Sequence, residues 1–184
     1  MLKRLIAVLL LMTVIVLAVG PVYAAISGVF NFGRGSLILT GVIRGLGNTT
    51  SSETVTVLTG RAVVYMECVN VYMECVNPGG NVAPGRNPIQ LSLTLTSAPL
   101  QADSNGNASV YIRIPDPATI SPTPVNPSAK QAGCPNGNWR VRGIQPASAR
   151  WQSAQVVVLK NGTSELLENY ACVDDGVTLT CSPS

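Results

Sequence analysis

The chain has 184 residues, no histidine, and 12 basic against 9 acidic side chains, a formal net charge of +3. Without histidine, Ser-His-Asp and Cys-His catalysis and histidine-based zinc sites are excluded. Charge this sparse, with Arg113, Arg140, Arg142 and Arg150 scattered along the chain, also lacks the dense basic stripe of a nucleic-acid binder.

The first element is an export signal. Lys3 and Arg4 form a positive n-region, Leu5 to Val19 form an apolar run, Gly20-Pro21 breaks it, and Val22-Tyr23-Ala24 offers small residues for a signal peptidase. The run is shorter than the roughly 20 residues of a spanning helix, so residues 1–24 read as a cleaved signal peptide and 25–184 as one domain. Cleavage after Ala24 leaves 160 residues. It also removes Lys3 and Arg4 from the 12 basic residues, leaving 10 against 9 acidic ones, a net +1. The expected destination is extracellular or periplasmic, with no membrane contact after cleavage. Polarity in the mature part comes from Asn, Ser, Thr and Gln beside abundant β-branched residues, which suits an exported β-protein and not a disordered chain.

Period-two patterning dominates the mature part. Ser36 to Leu46 and Thr54 to Tyr65 are rich in Val, Ile, Leu and Thr, with Gly41, Gly45 and Gly60 expected to mark bends or bulges. Ile89 to Thr96 places four aliphatic residues on one face and four polar ones on the other. Val110, Ile112 and Ile114 alternate in the same way, and Asn105-Gly106 between the two runs predicts a hairpin. Trp139 to Ile144 reads as a short strand, with Trp139 as a core residue packed on a disulfide. Ala154 to Lys160 and Ser164 to Ala171 flank Asn161-Gly162, the strongest hairpin signal, and Gly176 to Cys181 closes the domain. Seven to nine short antiparallel strands at this spacing predict an all-β fold, an immunoglobulin-like β-sandwich. Two Pro/Gly/Asn-dense loops interrupt the strands, Asn77 to Pro88 and Pro115 to Asn138; the second is longer than a simple turn needs.

Residues 64–70 read VYMECVN, and residues 71–77 repeat the string unchanged. A shift of seven reverses the facing of every side chain in a strand, so one copy must bulge, loop out or run beyond the sheet. The duplication accounts for the odd total of five cysteines, Cys68, Cys75, Cys134, Cys172 and Cys181. Cys172 and Cys181 flank Asp174-Asp175-Gly176 at hairpin spacing, which suits a local bridge. A long bridge then joins Cys134 to Cys68 or Cys75. With no histidine, no CxxC spacing and an oxidising destination, disulfides are favoured over metal ligation, and no metal site is expected.

Other chemistry is sparse. The carboxylates fall mostly in turns or at outward strand positions, where solvation is their ordinary state. Asp103-Ser104-Asn105-Gly106-Asn107 imitates the start of a calcium loop but has Ala108 and Ile114 where that loop needs glycine and a bidentate glutamate, so it reads as a turn. Asn48, Asn107 and Asn161 begin N-glycosylation acceptor triplets. No cofactor is implied.

CVNPGGNVAPGRNP (Cys75 to Pro88) together with KQAGCPNGNW (Lys130 to Trp139) resembles a family of small exported bacterial proteins without an assigned activity. These proteins share CxNPGGNxAPGxNP and AGCPNGNW motifs, and the likeness covers Leu39 to Val158. The resemblance implies an exported β-sandwich with a bridge between the motif cysteines, here Cys75 and Cys134, leaving Cys68 free. Such a bridge would bring the two loops to one end of the sandwich. Asn81, Arg86, Asn87, Asn136 and Asn138 would then present donors and acceptors to a polar ligand such as a cell-surface glycan. The expected function is a non-enzymatic structural or cell-surface/matrix interaction protein; the alternative is a glycan- or other polar-ligand-binding module that uses these loops.

Overall fold

A computed structural model describes residues 25–30, 35–46, 54–72 and 81–184. The signal peptide 1–24, Asn48, Cys75 and the start of the first loop, residues 77–80, lie outside the described residues. The described strands are β1 (Ala25–Phe30), β2 (Leu37–Arg44), β3 (Thr54–Val64), β4 (Met66–Asn70), β5 (Val82–Pro84), β6 (Ile89–Thr96), β7 (Ala108–Ile114), β8 (Trp139–Ile144), β9 (Arg150–Lys160), β10 (Thr163–Asp174) and β11 (Leu179–Pro183). A 3₁₀ turn at Pro117–Thr119 and one short helix, α1 (Ala129–Ala132), sit in the long second loop.

Sequence alternation becomes alternating burial. In β3 the even-numbered residues from Thr54 to Val64 face inward and are buried. The strand is interrupted at Tyr65, yet the same parity runs into β4, where Met66 and Cys68 are fully buried. Two antiparallel sheets, in the orders β1-β2-β7 and β11-β10-β9-β3-β6, pack face to face as a sandwich. Leu37, Leu39, Ile43, Val110, Ile112 and Ile114 come from the first sheet, and Leu58, Trp151, Val156 and Val158 from the second. At roughly 1.5–3 kcal/mol for each fully buried large apolar side chain, this core is the principal stabilising term. A smaller antiparallel sheet, β5-β4-β8, begins beyond Tyr65. It encloses a second cluster of Val64, Met66, Leu91, Ala132, Ile144 and Ala149.

The Asn161-Gly162 hairpin joins β9 to β10, with φ of 51° and 76° at its two turn residues, as a type I′ turn requires. Asn105-Gly106 does turn the chain, but not into a hairpin. β6 pairs with β3, and β7 pairs with β2 in the opposite sheet. The connection is too long for a tight turn and carries Leu100 and Ala102 to the core, so it crosses between sheets. Gly60 stands next to the register shift between Arg61 and Ala62 in the β3–β9 pairing. A Cβ there would lie 2.4 Å from Cζ3 of Trp151, so this glycine makes room for the indole.

Trp151, not Trp139, is the core tryptophan. It is 1% exposed on β9, deep within the five-stranded sheet, and its Nε1–H donates to the Gly35 carbonyl at 3.0 Å. Trp139 begins β8, an edge strand of the small sheet, and is half-buried.

The cysteine pairing is half as expected. Cys172 bonds Cys181 across the β10–β11 hairpin. Cys134, however, bonds Cys68 and not Cys75, with a Cα–Cα distance of 5.8 Å. Cys68 is the next inward position after Ala62, Val64 and Met66, so the strand's own parity aims it at Cys134. The two repeat copies do part company, as the reversal of facing requires. β4 ends at Asn70, and Val71 and Tyr72 are exposed in a turn. The first copy thus lies in the sheets, and the second falls in the β4–β5 connection.

Candidate functional site

The site grows outward from α1. Ser128 caps the helix: its Oγ accepts from the Gln131 N–H at 3.3 Å, while Gln131 Oε1 accepts from the Ser128 N–H at 2.9 Å. Such a reciprocal box fixes both side chains at the helix start. Gly133 ends the helix at φ 71°, and Cys134 follows at once into its bridge with Cys68. Cys134 N–H donates to the Ala129 carbonyl at 2.9 Å, so the bridge is anchored to the helix on one side and to β4 on the other.

The first loop docks on the carbonyl end of this helix. Arg86 N–H donates to the Gly133 carbonyl at 3.2 Å, and Asn87 N–H donates to the Ala132 carbonyl at 3.1 Å. Asn87 Nδ2 donates to the Gln131 carbonyl at 3.0 Å, satisfying an acceptor left open at the helix terminus. Gly85 N–H donates to the Met66 carbonyl at 2.7 Å. A Cβ on Gly85 would lie 2.5 Å from the Ala132 carbonyl oxygen and 3.1 Å from that of Met66. Only glycine permits so close an approach of three backbones.

The docked loops frame an open groove of about 550 Å³ lined by Tyr65, Pro84, Gly85, Arg86, Pro135 and Gln145. Tyr65 stands between β3 and β4, and its odd number turns the ring outward, 36% exposed. Its carbonyl accepts from the Gln145 N–H at 2.9 Å and its N–H donates to Ser148 Oγ at 3.2 Å, which ties this junction to the chain leaving β8. Among the described residues, the Tyr65 hydroxyl, the Arg86 guanidinium and the Gln145 carboxamide have no intramolecular partner. The nearby cation Arg142 is engaged by Glu67 at 3.2 Å across β8 and β4. The groove therefore offers an aromatic face, two proline rings, one uncommitted cation and one uncommitted amide. That set can bind and orient a polar molecule.

The two loops meet, but through backbone bonds to α1 and the Cys68–Cys134 bridge and not through the expected Cys75–Cys134 bridge. Of the five loop residues that the sequence suggests, Arg86 lines the groove. Asn87 spends its amide on the helix. Asn136 Oδ1 accepts from the Asn138 N–H at 2.9 Å, closing a local turn. The Asn138 carbonyl accepts from the Val71 N–H at 2.9 Å, and the Asn81 carbonyl from the Asn70 N–H at 3.2 Å; both side chains are exposed outside the groove. Tyr65 and Gln145 were not expected. The alternation of β3 carried a signal for Tyr65, an aromatic on the outward parity, whereas no pattern marked Gln145.

A second open cavity of about 560 Å³ is bordered by Ser97, Gln101, Asp103, Asn107 and Tyr111. Its carboxylate is committed. Asp103 accepts from the N–H groups of Asn107 at 2.8 Å and Asn105 at 2.9 Å. These bonds hold its pKa below the ordinary carboxylate value despite some desolvation. Among the described residues, no three of Cys, Asp and Glu come together to hold a metal ion.

No protein-family model matches the chain, and no curated protein is significantly similar to it.

Proposed function

We propose that the protein is an exported, non-enzymatic interaction protein of the cell surface or matrix, and that it takes a polar ligand such as a glycan in the Tyr65–Arg86–Gln145 groove. The observation that carries this is the groove's combination of uncommitted side chains with a fixed frame. An aromatic face, a guanidinium and a carboxamide are suited to sugar rings and hydroxyls. A frame tied by a disulfide and by backbone bonds to α1 lowers the ordering cost of binding. Two disulfides suit an oxidising, extracytoplasmic destination. The absence of histidine from the sequence supports the non-enzymatic part.

The same proposal takes the sandwich as immunoglobulin-like. Its support is the strand order: β2 beside β7 in one sheet and β10-β9-β3-β6 in the other match the B-E and G-F-C-C′ neighbours of that architecture. Kinship with the motif-defined exported bacterial proteins belongs to it as well. Gly85, Asn87, Gly133 and Cys134, which carry the two motifs, are the residues that hold the loops together.

Fractionation of cells expressing the full chain tests the function. The secreted protein should be retained on wall or matrix and released by a soluble sugar. Y65A and R86A should each weaken retention on the order of tenfold, equivalent to about 1.4 kcal/mol. Retention unaffected by either substitution would remove the groove from the function, and no retention of the native protein would refute the reading.

A further inference from the structure

We infer that the open edge of β6 is a self-association surface, along which a second copy of this chain adds its own β6 antiparallel to extend the five-stranded sheet. β6 lies at the end of that sheet and, among the described residues, pairs with β3 alone. Ser97 N–H donates to the Thr56 carbonyl at 2.8 Å. In the β3–β6 register this makes the odd-numbered residues of β6 the ones bonded to β3. The N–H and C=O groups of Gln90, Ser92, Thr94 and Thr96 therefore point to the open side. All four residues are exposed, and no described backbone group bonds to them there.

Edge strands are ordinarily blunted by charge, proline, a bulge or shortness. β5 has three residues and includes Pro84, β7 carries Arg113, and β11 ends at Pro183. β6 has none of these devices. It is eight residues long, uncharged, free of proline and glycine, and pairs with β3 without a bulge.

The occupant follows from self-complementarity. Outward-bonding residues must face outward-bonding residues, so an antiparallel pair of β6 strands can be centred on an even or an odd position only as parity allows. Centring on Leu93 sets Gln90 opposite Thr96 and Ser92 opposite Thr94, so all four outward residues find partners. Centring on Ser92 would leave Thr96 facing Pro88, which has no N–H. The Leu93 register is two-fold symmetric, as a closed homodimer contact must be. It sets the Ser92 hydroxyl beside that of Thr94 on the outer face, as Thr59 and Thr94 already stand at 2.9 Å between β3 and β6. On the inner face it sets Leu91 beside Leu95, which is 40% exposed in the single chain. No charge opposes the contact.

The test uses protein secreted from the full chain, with Cys75→Ala in every variant so that no intermolecular disulfide contributes. Sedimentation equilibrium should show a dimer. S92E/T94E sets carboxylates opposite one another in the Leu93 register, and dimerisation should weaken on the order of tenfold. S92E/T94K sets a carboxylate opposite an ammonium in both symmetry-related pairs and should restore it. The carboxylate introduced by S92E would face Arg61 within its own chain, so the repulsive variant gains an intramolecular partner and keeps its fold. In parallel, amide exchange at Gln90, Ser92, Thr94 and Thr96 should slow as protein concentration rises. A native protein monomeric at every concentration, or equal dimerisation by both variants, would overturn the assignment; exchange independent of concentration at these amides would do so without any variant.

Discussion

Replacing both partners of the long bridge, C68A/C134A, is expected to cost about 4 kcal/mol. The bridge spans a sequence separation of 66 residues, and closing a loop of that length removes roughly 15 cal/mol/K from the unfolded ensemble, about 4 kcal/mol at 25 °C. In a domain of this size that loss lowers the melting temperature by roughly 8–16 °C. The short bridge, with a separation of 9, is worth under about 3 kcal/mol on the same scale, so C172A/C181A provides an internal reference. Both cysteines of the long bridge must be replaced together, because a lone Cys134 could capture Cys75. Thermal and urea unfolding followed by circular dichroism read the loss directly. The counterpart is C75A, expected to leave stability within about 0.5 kcal/mol and to abolish the thiol that alkylating reagents label in the non-reduced protein. A C75A variant that loses as much stability as C68A/C134A would show the pairing to be wrong. A loss under about 1 kcal/mol for the double variant would show instead that loop closure contributes little.

Two further outcomes concern the turns and the docked loop. Asp103 and Asp175 have pKa values held below the ordinary carboxylate value, chiefly by the N–H groups of Asn107 and Thr178 respectively. Their stabilisation is present above the unfolded-state pKa and is lost as pH falls through it toward the lower folded value, so D103N and D175N should flatten the acid limb of a stability–pH titration below about pH 4; limbs that superimpose on the native one would contradict this. G85A should destabilise the fold by about 1–3 kcal/mol through overpacking, because its Cβ meets two backbone carbonyls, and should speed amide exchange at Arg86 and Asn87; unchanged exchange there would show that the loop is not docked through this contact.

Much of the strand content was legible because burial on one face imposes period two. β6, β7, β8 and the β9–β10 hairpin fall where the patterns put them. Which strands pair was less legible. Alternation fixes a strand's face but not its neighbour, so β6 and β7 could be read as partners although they belong to opposite sheets. The fate of Cys68 was in the sequence as parity, since Ala62, Val64, Met66 and Cys68 form one inward row. The resemblance pointed to Cys75 instead, beside the first loop, whereas that loop is anchored by Gly85–Asn87 on α1. The helix had a signal in Ser128-Ala129-Lys130-Gln131, whose end residues form the capping box, but four residues give no helical period to detect. Gln145 joins the groove through its N–H bond to the Tyr65 carbonyl, a tertiary contact without a local imprint.

Tandem identity gives the β4–β5 connection an unusual hereditary property. Excising residues 64–70 or residues 71–77 yields the same polypeptide, so loss of either copy has one result. The last paired residues of this hairpin are Val69 and Val82, which leaves twelve residues between them; losing one copy leaves five, an ordinary hairpin length. The change in loop closure amounts to less than about 1 kcal/mol, so gain and loss of the unit are close to neutral for folding. They are not neutral for sulfur chemistry. Loss of one copy takes the cysteine count from odd to even, converting a chain with a spare thiol into one whose four cysteines are all spoken for.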